Sequence, residues 1–453
     1  MIKKRFFLTS LSIITAIAIS GCSYDASAQE NTTTQVTETV SSSSEETNSK
    51  NSTSSEVTQT STDDIFTSRD SEQEADLENA EYITISDGED VTITEEGVYV
   101  ISGTASNVTI TVDTQDENAK VQLVLDGVSI TNTDFPAIYV ISADKVFITT
   151  TDSENTLEVT GSFVADGDTN TDAVIYSKDD LTFNGTGTLN ITSANGNGIS
   201  GKDDVKFTGG TYVINASEDG IEAHNSIAIS DGTFTVTSGK DAFHSEDDED
   251  TTVGYIYISG GNFTINASDD GLQGTTWVTI DGGTFDITAA EGIEGTYVTI
   301  NDGTISISAS DDGINATAKS SSYSVVVEIN GGTIDITMGS GDTDAIDANG
   351  SIYINGGNIT ITASSAFDYD QSATLNGGTV IVNGTQITEI TASMMGGGAI
   401  GGGRGGMGGQ NTTGTVPSEG GAIGGQNAGG AAPEGTAPGG NGGGFGGGKG
   451  GNR

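Results

Sequence analysis

The sequence predicts an all-β protein built as a single-stranded parallel β-helix between disordered N- and C-terminal segments. Three observations predict it. A Gly-Gly-Thr turn recurs at near-constant spacing, apolar residues fall into aligned columns when the repeats are stacked, and no stretch carries a helical period of useful length. Short units that cannot bury their own apolar face must stack to do so.

One coil can be read in full at 277–296. Val278 and Ile280 alternate with Thr279, Asp281-Gly282-Gly283 turns the chain, and Phe285 and Ile287 alternate with Asp286. Glu291-Gly292 turns it again, Ile293 opens a short third strand, and the pattern restarts at Tyr297. Alternation with period two marks half-buried strands, and Gly and Asx clusters mark turns. The second glycine of the turn recurs at 210, 232, 261, 283, 303, 332, 357 and 378, with a weaker copy at 187. Two longer repeats contain insertions at Ser245–Thr252 and Lys319–Tyr323, and insertions on one edge of a solenoid often form a binding face.

Stacking the repeats gives one inward column of Leu189, Tyr212, Phe234, Phe263, Phe285, Ile305, Ile334, Ile359 and Val380. A second reads Ile191, Ile214, Val236, Ile265, Ile287, Ile307, Ile336, Ile361 and Val382. Each such side chain contributes roughly 1.5–3 kcal/mol on burial. Residues 80 to about 160 alternate as strands without the Gly-Gly-Thr turn, as expected of an N-terminal cap and its first coils. Rossmann and P-loop sites are excluded, because both need helices.

Four segments follow: 1–22, 23–79, 80–393 and 394–453. Lys3, Lys4 and Arg5 precede an apolar run from Phe6 to Ile19, and Ile19-Ser20-Gly21-Cys22 resembles a bacterial lipobox. The resemblance implies cleavage before Cys22, a lipid on its sulfur, and a protein held at the extracellular face of the membrane. Cys22 is the only cysteine, so intrachain disulfides are impossible. Residues 23–79 are rich in Ser, Thr, Glu, Gln and Asn and are expected to be a disordered tether. Residues 394–453 are Gly-rich and are expected to be a flexible tail. With 64 acidic residues against 15 basic, the formal net charge is −49, which argues against nucleic acid as a partner. A monomer is expected.

Each Gly-Gly-Thr strand is followed by Asp-Gly-Ile-x-Ala or a variant. Stacking places Asp219, Asp241, Asp270, Glu291, Asp312 and Asp344 in one column, with Asp269 and Asp311 beside it. Three residues on, Glu222, His244, Gln273, Glu294, Asn315 and Asp347 form a parallel column. Two carboxylates about 5 Å apart repel by roughly 3 kcal/mol at an effective dielectric near 20. Hard oxygen ligands in this number suit Ca²⁺ better than Mg²⁺. The alternative is a set of Asx turns in which the Asp side chains cap backbone amides.

A third outward column runs Asp180, Asp204, Ser226, Tyr255, Trp277, Tyr297, Val326 and Ser351, with Tyr257 and Tyr353 in the neighbouring outward column. Tyr255, Trp277 and Tyr297 are therefore expected to line up on the surface, about 4.8 Å apart, close to the length of a sugar unit. The alternative is a ladder that only stabilises neighbouring strands.

The Asp-Asp-Gly-Ile-x-Ala and Ile-x-Gly-Gly-Thr-Phe-x-Ile-x-Ala repeats resemble those of the carbohydrate-binding β-helix family of bacterial surface proteins, over about residues 80–390. That family is similar in fold to pectate lyases, and its members carry calcium along the helix and bind cellulose and acidic polysaccharide. The resemblance implies calcium at Asp219, Asp270, Asp312 and their motif partners, and the motif departs from the family's at Lys240-Asp241-Ala242 and at Glu291. The expected function is calcium-dependent polysaccharide binding without catalysis. The competing readings are a surface adhesin and a polysaccharide lyase using Lys202, Lys240 or Lys319 as base; His224 and His244 lie on the same edge.

Overall fold

The computed structural model describes residues 65–247, 249–341 and 343–391. The chain is all-β: thirty-two strands form one hydrogen-bonded sheet, and no helix occurs among the described residues. Three ladders of parallel strands organise it, in which a strand pairs with the strand about one repeat later, until Thr379–Val382 closes the end in an antiparallel hairpin with Thr385–Ile387. In the first ladder Trp277–Ile280 lies beside Tyr297–Ile300. In the second Thr284–Ala289 lies beside Thr304–Ala309, and in the third Asp270–Gly274 lies beside Glu291–Gly295.

The inward columns have the register expected from the repeat. Leu189 pairs with Tyr212, then Phe234, Phe263, Phe285, Ile305, Ile334, Ile359 and Val380. These belong to one continuous apolar core that extends from Ile85 to Ile390. The rings of Tyr212, Phe234, Phe263 and Phe285 stack in sequence, with centroid spacings of 5.1, 4.9 and 4.4 Å. The ring spacing follows the strand spacing of about 4.8 Å, because in-register parallel strands carry identical side chains at that interval.

The turns explain the glycines. Gly283 has φ +105°, a region where a side chain is strained. Its neighbour in type, Gly331, has an ordinary φ, but a Cβ there would lie 2.2 Å from the carbonyl oxygen of Asn301 in the preceding repeat. One glycine supplies the conformation and the other the close approach.

The strands before residue 160 join the same three ladders, with Val121 over Val146, Leu181 and Val205. They include Val91–Ile93 and Glu154–Val159. Here wholly buried Asn155 takes the inward position that Leu189 fills in the next repeat. Its Oδ1 accepts from the Val128 N–H at 2.9 Å and its Nδ2 donates to the Thr188 carbonyl at 3.2 Å. Paired in this way, an amide can be buried without penalty.

One expectation is corrected. Residues 65–79 were placed in the disordered tether, yet they lie along the first ladder. Asp70 is 0% exposed and ion-paired to Lys145 at 3.0 Å. Ile65 is buried with Tyr257 and Trp277, and the Arg69 guanidinium sits 4.5 Å above the Phe147 ring centre. A polar composition hid a segment that specific pairs hold at Asp70 and apolar packing holds at Ile65 and Phe66. The leader with Cys22, residues 23–64 of the tether, and the tail lie outside the described residues.

Candidate functional site

Two surfaces carry concentrated chemistry: an acidic corner between the second and third ladders, and a groove on the first ladder.

At the corner, the turn-capping role is present. The Asp219 N–H donates to Asn197 Oδ1 at 2.9 Å, Asp241 N–H to Asp219 Oδ1 at 3.0 Å, and Asp270 N–H to Asp241 Oδ1 at 2.8 Å. Asp344 N–H donates to Asp312 Oδ1 at 3.1 Å. In Asp219 and Asp241, Oδ1 caps the next repeat and Oδ2 faces His244. His244 Nδ1 lies 3.4 Å from Asp219 Oδ2 and 3.5 Å from Asp241 Oδ2, and its Nε2 lies 3.1 Å from Glu246. Burial opposes charge on this imidazole, but hydrogen bonds to Asp219 and Glu246 and the charge of Asp241 push it up to about 10. An imidazolium therefore neutralises this part of the column.

In the next repeats the counter-charge is a lysine, Lys319, whose Nζ lies 2.7 Å from Glu294 Oε2. Oxygens of Asp270, Glu291 and Glu294 lie within 4.8 Å of one another, as do those of Asp241, Asp269 and Asp270. Gln273 Nε2 donates to Asp270 Oδ2 at 2.7 Å and to Glu294 Oε2 at 3.0 Å. Asn315 Nδ2 donates to Glu291 Oε2 at 2.9 Å, while its Oδ1 is buried without a hydrogen-bond partner. Burial, then the charges of Asp241, Glu294 and Glu291, push Asp270 up to about 9, and burial foremost pushes Glu291 up to about 7. Crowded carboxylates beside an unsatisfied amide oxygen fit a hard cation that takes oxygen ligands.

Asp219 groups with Asp241 and His244, and the remaining acids of the expected set are not gathered into triples among the described residues. Glu222 accepts from Ser200 Oγ at 2.7 Å and Asn197 Nδ2 at 2.9 Å and faces Lys202 at 3.6 Å. Asp311 is exposed. Asp347, opposite Asn315, is pushed up to about 7 by burial and by Asp312, Asp368 and Asp344. A further triple, Asp180, Asp203 and Asp204, was missed. Its signal was present, since Asp180 and Asp204 head the outward column of the first ladder.

The groove, about 630 Å³, lies on the first ladder. Tyr297 and Tyr353 line it, together with Trp277, Glu328, Asn301 and Asn330. Tyr323 comes from the 319–323 insertion, and sequence reasoning missed it although the insertion itself was noted. Tyr297 OH donates to Glu328 Oε2, and Asn355 Nδ2 donates to Glu328 Oε1 at 3.1 Å. An amide ladder forms the groove's edge: Asn301 donates to Asp281 at 2.7 Å, Asn330 to Asn301 at 2.8 Å, Asn355 to Asn330 at 2.8 Å and Asn376 to Asn355 at 2.7 Å. Among the described residues, no lysine, arginine or histidine lines the groove.

The expected surface row of aromatics needs correction. The register is as expected, Tyr255 to Trp277 to Tyr297, and the first two rings stack at 4.2 Å. Trp277 is nevertheless only 3% exposed and Tyr257 6%. Ile65 and Phe66 pack over them, with the Phe66 and Tyr257 rings 6.3 Å apart, and Tyr257 OH reaches Asp281 Oδ2 at 2.8 Å. Tyr255 and Tyr257 do not line the groove.

A family model described as carbohydrate-binding domain-containing protein matches residues 87–340 and 289–395, most of the described chain. The chain belongs to this carbohydrate-binding domain-containing family. A carbohydrate-binding domain-containing protein of Acetivibrio thermocellus is 39% identical over 140 residues, covering 30% of this chain and 48% of that protein. The chain thus matches about half the length of this curated relative. A solved structure described as the polysaccharide lyase-like protein from C. thermocellum, a gadolinium derivative, is similar at 25% identity and a TM-score of 0.40, over 66% of this chain and 98% of that one.

Proposed function

We propose that this member of the family is a calcium-dependent polysaccharide-binding protein without catalytic activity, held at the extracellular face of the membrane by a lipid on Cys22 and acting as a monomer. The three parallel ladders are read as the faces of one right-handed, single-stranded β-helix. The observation that carries the binding role is the groove, where the Tyr297, Tyr323 and Tyr353 rings lie beside a ladder of asparagine amides. Aromatic faces cover the apolar faces of sugar rings and amides pair with hydroxyls. With Glu328 present and no cation, the groove suits neutral glycans; uronates are served instead by calcium at Asp270, Glu291 and Glu294.

A lyase is less well supported. A catalytic lysine must be deprotonated to act as base. Lys240 is pushed up by its hydrogen bond to Glu218, and Lys319 is pushed up by Glu294 at 2.7 Å despite burial.

The test is titration calorimetry of the full chain with neutral β-glucan oligomers and with oligogalacturonates, in EDTA and in millimolar calcium. Tyr297→Ala with Tyr353→Ala is expected to weaken neutral-oligomer binding by about tenfold or more, the equivalent of roughly 1.4 kcal/mol. Wild-type strength in this double variant would remove the groove as the site.

A further inference from the structure

We propose that residues 65–73 form a strap whose tip, Ile65-Phe66, competes with glycan for the N-terminal half of the aromatic column, so that release of the tip lengthens the groove. This inference rests on the reading of the groove as a glycan site.

The strap has two unlike ends. Its Asp70 end is fixed. Asp70 Oδ1 accepts from Lys145 Nζ and Thr182 Oγ1, each at 3.0 Å, and Oδ2 accepts from the Thr67 N–H at 2.8 Å. The Asp70 carbonyl accepts from Asn184 Nδ2 at 3.3 Å and from Thr208 Oγ1. Gln73 Oε1 accepts from the Gly185 N–H at 2.9 Å, and its Nε2 donates to the Thr208 carbonyl at 2.9 Å. Burial opposes the Asp70 charge, but the Thr67 N–H and the Lys145 ammonium hold its carboxyl below the usual range.

The tip is held differently. Lys206 Nζ donates to the Ile65 carbonyl at 3.0 Å. Ile65 and Phe66 also pack in an apolar cluster with Tyr257 and Trp277. Non-directional contact of this kind can be replaced by another apolar face, whereas the polar pairs around Asp70 cannot be exchanged for a sugar without leaving buried groups unpaired.

What the tip covers continues the groove. Tyr255, Trp277 and Tyr297 occupy one column on consecutive repeats. Trp277 lines the groove and also packs in the cluster under Ile65. With the tip displaced, the edges of the stacked Trp277 and Tyr255 rings extend the apolar wall of the groove by two strand spacings, about 10 Å. A short oligomer that fits the open groove gains nothing from this, and a longer one gains two rings. If the covered state dominates, the affinity for long glycans is lowered by the fraction of molecules with the tip released.

Trp277 is the only tryptophan in the chain, so its fluorescence reports the tip directly. The experiment compares the full-length wild type, Ile65→Ser with Phe66→Ser, and Asp70→Asn. It measures acrylamide quenching of Trp277 without ligand, and then binding of neutral β-glucan oligomers of four and of eight sugars. In both variants we expect stronger quenching, about threefold or more tighter binding of the octamer, and unchanged binding of the tetramer. Unchanged quenching in both variants overturns the proposal, because the strap is then not what shields Trp277. Stronger quenching with unchanged or weaker octamer binding also overturns it, and leaves the strap as a structural tie. If wild type binds oligomers and Tyr297→Ala abolishes this while the variants gain nothing, this inference alone fails. If no oligomer binds any of the proteins, the groove reading fails with it.

Discussion

Asp270 and Glu291 show how one residue's environment sets a property of the molecule. Their carboxyls sit at about 9 and about 7 in the folded protein, above the ordinary carboxylate range near 4. The folded state therefore holds protons that the unfolded chain has released, and stability falls as pH rises from about 4 through these values. His244, raised to about 10, acts in the same direction but later: its contribution is complete below the ordinary histidine value and is lost as pH rises through about 10. In EDTA, the calorimetric midpoint is expected to drop between about pH 5 and 8, and Glu291→Gln to reduce the slope. Millimolar calcium should flatten the profile, because a bound cation favours the ionised carboxylates. A midpoint that rises with pH in EDTA would contradict the assigned pKa direction. These residue identities and their column were legible from the repeat. Which carboxylates converge was not, because it depends on side-chain direction and on whether a neighbour such as His244 supplies the counter-charge.

At the scale of the element, the second ladder is the most sequence-determined part of the molecule. Its alternation of period two and its turn glycines fix which residues face inward, and a one-residue slip would turn every side chain to the wrong face. Phe263 sits between Phe234 and Phe285, with rings almost parallel on both sides. Phe263→Ala is expected to lower stability by about 3–5 kcal/mol, read from denaturant unfolding, because the in-register neighbours cannot collapse into the space. A loss below about 1 kcal/mol would mean that the column relaxes around the gap. The early strands were harder to read. Where Asn155 replaces an apolar residue, its buried amide is acceptable only because Val128 and Thr188 meet it, and those partners come from other repeats.

For the whole molecule, charge is the governing quantity. A formal net charge of −49 implies self-repulsion that grows as salt is removed. The melting midpoint in EDTA is expected to rise as sodium chloride increases from about 0.01 M to about 0.5 M, over which the Debye length falls from roughly 30 Å to a few ångströms. A midpoint insensitive to salt would show that local pairs, such as Lys145–Asp70, already balance the acidic corner and the first ladder. The strap belongs to this scale too, since it joins residue 65 to strands that lie far along the chain.

The sequence by itself determined the all-β class, the register of the inward columns, the order of residues along the acidic and aromatic columns, and the edge that carries the insertions. All of these follow from a short period repeated many times, in which local alternation and turn chemistry agree. Only the tertiary structure decided what lies on top of the columns. The tip at Ile65 and Phe66 covers Trp277 and Tyr257, Tyr323 reaches the groove from an insertion, and Asp270, Glu291 and Glu294 converge while Glu222 turns to Ser200 and Asn197. The physical reason is separation along the chain: a repeat specifies its own stacking, but a non-repeating segment packs through single long-range contacts that leave no period in the sequence.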